Sequence, residues 1–486
     1  MRLIIEARLE DAQMGAAPTE ATIVEVVERR DGSVANLGLT LAEGRALLAK
    51  VQSILVSQQT AGWMASQVAC HRCGSALAHK DSRLIVMRTV FGKVMVSSPR
   101  LWACGCASRQ QGPHRSVSPL CKALPQRVTP ELQYLQAKWA AHLPYRRATE
   151  LLQEVLPLDK AISLGSTRRR VLAVGEALDA QIERDIAAAP KYIDGDRVRE
   201  STRVGCVSVD SAWLSFSSGP KSRKAARDLA ELKSPLAMKL EQARHVNIVA
   251  GRATFTNRTS RLYAYVHKQV HSAAARLDQF LTSSGVSPDE RVTVISDDAG
   301  ESGKAVEGSR LVRGRILDWF HIAMKFKAAE NSIFGSATIA ALEREIQTEI
   351  DHAKWLAWHG KGRKSVARIK ALDASLLARQ GYESSTLWWN LRRLYCYIEN
   401  NAGSLVNYGA RYRKGLPISS SIAESAVNQV VSHRMAKHQQ MRWTNEGALR
   451  LAQVRVADLN GELSVQRLAA LAKMPAANSS YARQAA

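Results

Sequence analysis

Apolar residues along this chain change period several times, and each change marks a different kind of element. The first forty residues hold a β-branched run, Ala21-Thr-Ile-Val-Glu-Val-Val-Glu28, and an Asp31-Gly32 turn signal, which together predict a hairpin. From Thr40 to Gln59 apolar residues recur every three or four positions, as in an amphipathic helix. The same spacing runs from Pro130 to about Asp185 through Leu132, Leu135, Trp139 and Leu143, then Ala148, Leu151, Leu152 and Val155, predicting a small helical module. Between Val204 and Asp318 the pattern shifts to short apolar runs that end in acids: Val204-Gly-Cys-Val-Ser-Val-Asp210, Val292-Thr-Val-Ile-Ser-Asp297 and Arg315-Ile-Leu-Asp318. A helical pattern over Gln269 to Leu281 lies among them, so an α/β domain with a mixed sheet is expected. Helical spacing returns from His321 to about Arg411 and reads as an insertion. It carries Trp355, Trp358, Trp388 and Trp389, the first two on one helical face where core packing is the expectation. After Pro417, Ser419-Ser-Ser-Ile-Ala-Glu424 supplies capping serines ahead of another apolar-periodic helix.

Composition narrows the partner. The 486 residues are 46% hydrophobic and 23% charged, enough for several domains with real cores. Lys and Arg number 68 against 44 Asp and Glu, a formal charge of +24, which points to a polyanion and first to nucleic acid. A membrane surface would also attract this charge, but no stretch approaches the ~18 consecutive apolar residues of a spanning helix. Charges interrupt Met1-Arg-Leu-Ile-Ile-Glu-Ala-Arg too early for a secretion signal, so a cytoplasmic protein is expected.

Seven cysteines suit no disulfide framework, and four of them crowd together. Cys70-His-Arg-Cys73 and Cys104-Gly-Cys106 flank Leu84 to Val96, which reads as strand, turn and strand around Phe91-Gly92. A hairpin that joins two such knuckles gives the four thiolates of a structural zinc ribbon, with His71 able to replace one of them. Further on, Ile162-Ser-Leu-Gly-Ser-Thr167 leads into Arg168, Arg169 and Arg170, which resembles a helix-turn-helix offering hydroxyls and guanidinium groups to a phosphate backbone. Asp210 and Asp297 close apolar runs, and Glu424 lies on a later helix. Two strand-borne aspartates and a helix-borne glutamate are how an RNase H-like fold gathers oxygen ligands for a pair of Mg²⁺ (or Mn²⁺) ions in phosphoryl transfer. His433, Arg434, Lys437 and Arg442 form a basic cluster that could hold a DNA strand, and Trp443 could stack on a base or pack in a core.

Val207-Ser-Val-Asp210, Ile295-Ser-Asp297-Asp298, Ile316-Leu-Asp318-Trp-Phe-His321, Pro417 to Glu424, His433-Arg434-Met435 and Met441-Arg442-Trp443-Thr-Asn-Glu446-Gly447 together resemble bacterial insertion-sequence transposases of the ISKra type, related in plan to the Mutator-like group. The resemblance spans most of the chain. It implies a DDE catalytic domain with Asp210, Asp297 and Glu424 as metal ligands, and an acid-x-x-His motif matched by Asp318 and His321. It also implies strand transfer after cleavage, acting on the element's terminal inverted repeats and on target DNA as a homo-oligomer. Asp298 stands where relatives often have glycine and could itself be the ligand, although strand alternation favours Asp297. Asp318 could equally cap the helix after it. The expected organisation is a hairpin and helix over 1–66, a zinc-ribbon-like module over 67–125, a helical DNA-binding module over 126–190, an RNase H-like catalytic domain over 200–330 and 412–460, a helical insertion over 331–411 and a tail over 461–486. Two other readings remain open on the residues alone: an RNase H-like nuclease or resolvase without strand transfer, and a zinc-ribbon and helix-turn-helix regulator whose acids are structural.

Overall fold

The computed structural model describes residues 1–9, 21–29, 37–106, 116–123, 127–158, 162–189, 198–201, 204–215, 245–255, 259–266, 272–297, 300–334, 342–419, 425–436 and 443–473. They form two compact units, residues 1–177 with 462–486, and residues 178–461.

In the first unit, β1 (Arg2–Ala7) pairs antiparallel with β2 (Thr22–Glu28). The β-branched run therefore finds its partner in the strand before it; Asp31-Gly32 lies outside the described residues. α1 (Leu41–Ala65) starts with a capping box: Thr40 Oγ1 accepts the Glu43 N–H, and Glu43 accepts the Thr40 N–H at 2.8 Å. Arg29 adds two hydrogen bonds to the same carboxylate, and Glu43 is held down to about 2 chiefly by that guanidinium. β3 (His79–Thr89) and β4 (Gly92–Trp102) form the hairpin expected around Phe91-Gly92, with Gly92 at φ +113°, a turn conformation that favours glycine. β5 (Ser116–Val117) adds a third strand. Val56 and Met64 of α1 pack on Ile85, Met87, Val94 and Val96 of the hairpin and on Leu120 of the short helix α2 (Pro119–Ala123). The helical module consists of α3 (Pro130–His142), α4 (Tyr145–Val155) and the start of α5 (Leu164–Ala187). Near the end of the chain, a helix at Val465–Lys473 buries Leu468 and Leu471 and packs on α3.

The second unit is built on a six-stranded mixed sheet. β7 (Val204–Ser215), β8 (His245–Phe255) and β9 (Arg261–Val266) run as an antiparallel meander. After α6 (Ala273–Ser283), β10 (Glu290–Ser296) returns parallel to β7; after α7 (Gly300–Glu307), β11 (Val312–Leu317) lies parallel to β10. The two-residue strand β6 (Arg199–Glu200) pairs with the start of β10, and the order across the rest of the sheet is β11-β10-β7-β8-β9.

Helices cover both faces, which is why β7 reads as a nearly continuous apolar run and not as an alternation. Val207 and Val209 face one core with Leu277, Phe280 and Leu281 of α6 and Ala305 and Val306 of α7. Cys206, Ile295 and Ile316 face another, filled by α8 (Trp319–Asn331), α9 (Glu343–Trp358), α10 (Gly362–Leu376), α11 (Thr386–Asn400) and α12 (Tyr408–Arg413). The expected helical insertion is thus helical and shares a core with the sheet. One detail differs: Trp355 is 56% exposed while Trp358 packs on that core, because the buried face of α9 runs through Ile346, Ile350, Ala353 and Ala357 and Trp355, two residues past Ala353, is turned away from it. Beyond a π-helical turn at Asn428–Ser432, α13 (Asn445–Leu459) lies against β9, where Gln453 donates to the Ala264 carbonyl at 3.1 Å.

Candidate functional site

Sheet register brings three acids together. Ser296, the last residue of β10, pairs in parallel with Val209 of β7 on one side and Leu317 of β11 on the other. Asp210, Asp297 and Asp318 each follow one of these residues, so three neighbouring strands present a carboxylate at the same level of the sheet. The Asp318 N–H donates to the Ser296 carbonyl at 3.1 Å, tying the third acid to the strand that carries the second.

Each acid is fixed differently. Asp210 is half-buried and accepts the Ser211 N–H at 2.7 Å. Burial pushes its carboxyl up to about 6; Asp297 and Asp318 push the same way, against the Ser211 N–H and His321. Asp297 accepts the Ser302 hydroxyl at 3.2 Å, and its backbone carbonyl accepts from Arg315 at 3.3 Å. Asp318 is fully buried and has two jobs. One oxygen caps α8 by accepting the Phe320 N–H at 2.8 Å, and the other lies 2.9 Å from His321 Nδ1. That bond raises the His321 pKa, with further help from Asp297 and Asp210. One Asp318 oxygen therefore caps α8, as the capping alternative expects, while the other holds His321.

Glu424 and Asp298 lie outside the described residues, as do Lys437 and Arg442. Ser302 and Arg315 were not singled out in the sequence. Arg315 stands in the run Arg315-Ile-Leu-Asp318, and a cation three residues before a strand-end acid is the signal the sequence offers.

The four cysteines of the first unit also converge. Their ligand atoms all lie within 4.8 Å of one another, with Cys70 and Cys106 Sγ 3.5 Å apart and Cys73 and Cys104 Sγ 3.3 Å apart. A tetrahedral zinc with bonds near 2.3 Å separates its sulfurs by about 3.8 Å, so the cluster could hold one ion without His71. Hydrogen bonds from Ser75 lower Cys73 to about 6, backbone N–H groups of Arg72 and Cys73 lower Cys70, and the neighbouring thiols push Cys106 up to about 12. Thiols this close resist full ionisation until a cation joins them.

The expected DNA-contacting residues divide. Arg168 and Arg169 are exposed on the first turns of α5, and Arg170 is half-buried and reaches Gln136 at 3.4 Å. Gly165, Ser166 and Thr167 lie inside the helix, not in a turn before it, and Thr167 is fully buried and accepts from Thr149 at 2.9 Å. The hydroxyls expected to meet phosphate are thereby corrected to packing groups. His433 is exposed. Arg434 is corrected too: it is fully buried, 5.8 Å from the Trp443 ring, and Trp443 is buried with its Nε1 donating to the Met435 carbonyl at 2.9 Å. Neither can touch DNA from that position.

No protein-family model matches this chain, and no curated protein does. Among solved structures, a chain of the Drosophila P element transposase strand transfer complex is similar over 74% of this chain and 82% of that one, at 9% identity and a TM-score of 0.23. A likeness of that strength carries no argument about fold or activity. No helix among the described residues is long and apolar enough to cross a membrane.

Proposed function

We propose that the chain is a DNA transposase that binds the terminal inverted repeats of its element, cleaves DNA there and joins the freed ends to target DNA. One observation carries the reading: Asp210, Asp297 and Asp318 stand side by side after register-paired positions of three parallel strands. The meander of three antiparallel strands followed by two parallel ones supports the reading of an RNase H-like domain. The +24 charge supports a polyanionic substrate.

The donor set suits a hard divalent ion, because it is made of carboxylate oxygens and one of them is half-buried with its ionisation opposed by its surroundings. In this reading Asp210, Asp297 and Glu424 would hold Mg²⁺ or Mn²⁺. When bound, such ions activate the attacking oxygen and stabilise the leaving oxygen of an in-line displacement on phosphorus. Asp318 positions His321 beside the acids, where an imidazole biased toward its charged form offsets their negative charge. Arg315 and Ser302 brace Asp297. The thiol cluster would hold a structural Zn²⁺, since four thiolates leave no open position for substrate.

The test is a strand-cleavage and strand-transfer assay on DNA carrying the element's ends, with Mg²⁺ or Mn²⁺. Asp210→Asn, Asp297→Asn and Glu424→Gln should each reduce both products by about a hundredfold to a thousandfold, the scale on which removed electrostatic stabilisation acts. Wild-type rates in all three variants would end the proposal. Cut but unjoined products from the unaltered chain would instead show a nuclease.

A further inference from the structure

We infer that the outer surface made by the end of α9, the turn after it and α12 binds unpaired nucleotides that continue from the carboxylate site; the inference rests on the reading above. A series of aromatic rings links the two places. Trp319 follows Asp318 directly, and its ring lies 4.7 Å from Trp358 and 5.0 Å from Tyr408. Trp358 in turn lies 6.2 Å from Tyr412, and one turn earlier on α9 Trp355 lies 4.4 Å from His359. The inner rings are packed, whereas Trp355 is 56% exposed and Tyr412 68% exposed. Both rings offer flat apolar faces on which a planar partner can stack.

The mounting of these rings is rigid. A Cβ on Gly409 would come within 2.7 Å of Trp358 Nε1, and Gly360, at φ +74°, lies against the backbone of Val406 and Asn407. The two ring-bearing segments are therefore pressed together, and the exposed faces are set before any ligand arrives.

The charge around them selects the occupant. Lys361 Nζ lies 5.3 Å over the Trp355 ring, and Arg413 and Lys414 follow Tyr412 directly and are exposed. None of these three cations pairs with an acid among the described residues. A second copy of this +24 chain would bring like charge to the same place. Nucleic acid brings phosphates for the cations, and only unpaired bases offer the open π-faces that exposed rings stack on.

The experiment measures binding of labelled single-stranded DNA and of a duplex of equal length to the full chain, in buffer free of divalent ions and of chelator. The Trp355→Ala/Tyr412→Ala double variant should weaken single-strand binding by on the order of tenfold or more, change duplex binding by less than about twofold and keep the wild-type thermal transition, since both rings are exposed. Lys361→Gln/Arg413→Gln/Lys414→Gln should lower the slope of log affinity against log salt by about 2 on the single strand. Unchanged single-strand affinity in the double variant, an equal loss on both substrates, no single-strand binding by the unaltered chain, or a shift in sedimentation in place of a binding defect would each overturn the inference. Because no divalent ion is present, binding is read apart from cleavage: binding through these rings with no cleavage in the Mg²⁺ or Mn²⁺ assay above would sink the transposase reading and leave the surface standing, and cleavage in that assay without such binding would do the reverse.

Discussion

Asp210→Asn should stabilise this protein at neutral pH while removing the activity proposed for it. The Asp210 carboxyl is pushed from an ordinary 3.8 up to about 6, chiefly by burial, so folding makes its ionisation less favourable. A shift of about two pH units corresponds to about 3 kcal/mol at 1.36 kcal/mol per unit, and partial exposure to solvent reduces this to about 1–2 kcal/mol. The sign follows from the direction of the shift. Below about pH 4 the group is protonated in both folded and unfolded chains and costs nothing. Between pH 4 and 6 the unfolded chain ionises first, and above 6 the folded chain carries the full penalty. Asn keeps the oxygen that accepts the Ser211 N–H and never ionises. Thermal unfolding in metal-free buffer should therefore show the second unit's transition raised by roughly 2–6 °C at pH 7.5 and by less than about one degree near pH 4. Added Mg²⁺ should raise the wild-type transition and leave the variant's in place. An equal gain at both pH values, or no gain at pH 7.5, would refute the reasoning.

Three other outcomes follow from the same structure. Purified protein should contain one zinc per chain by elemental analysis, and Cys73→Ser should lose it, with the first unit's unfolding transition falling while the second unit's holds. Gly251→Ala should destabilise the second unit by about 1–3 kcal/mol in urea unfolding, because the new Cβ would meet the Ser208 carbonyl oxygen at 2.7 Å and the Tyr263 ring at 3.0 Å, in the strand beside Asp210. Arg168→Gln/Arg169→Gln should weaken duplex binding and reduce the salt slope by about 0.9 for each phosphate contact removed; an unchanged slope would place DNA elsewhere on the protein.

Much of this architecture could be read from periodicity, because the signals were local. Apolar residues at three-to-four spacing from Thr40 announced α1, Phe91-Gly92 announced the hairpin, and three apolar runs ending in acids announced β7, β10 and β11. The level of the acids could not be read. Asp210, Asp297 and Asp318 meet because Ser296 pairs with Val209 and Leu317, and residues so distant in sequence reveal no register. The errors share one cause. Basic residues after an apolar run look exposed in sequence, yet Arg434 is buried beside Trp443, and Thr167, read as a phosphate donor, instead joins a buried hydroxyl pair with Thr149. Whether a polar residue faces water depends on which helix covers it, and that is a tertiary fact.

The helix at Val465–Lys473, packed on α3, has a consequence for how the chain is made. Its buried leucines complete a unit begun near the N-terminus, but they are translated only after all of residues 178–461. At 5–20 residues per second the ribosome needs roughly fifteen to sixty seconds to synthesise that intervening stretch. During that interval the early domain has an unfilled groove along α3. A nascent chain halted before residue 465 should be open to proteases there, and one released after residue 473 should resist them.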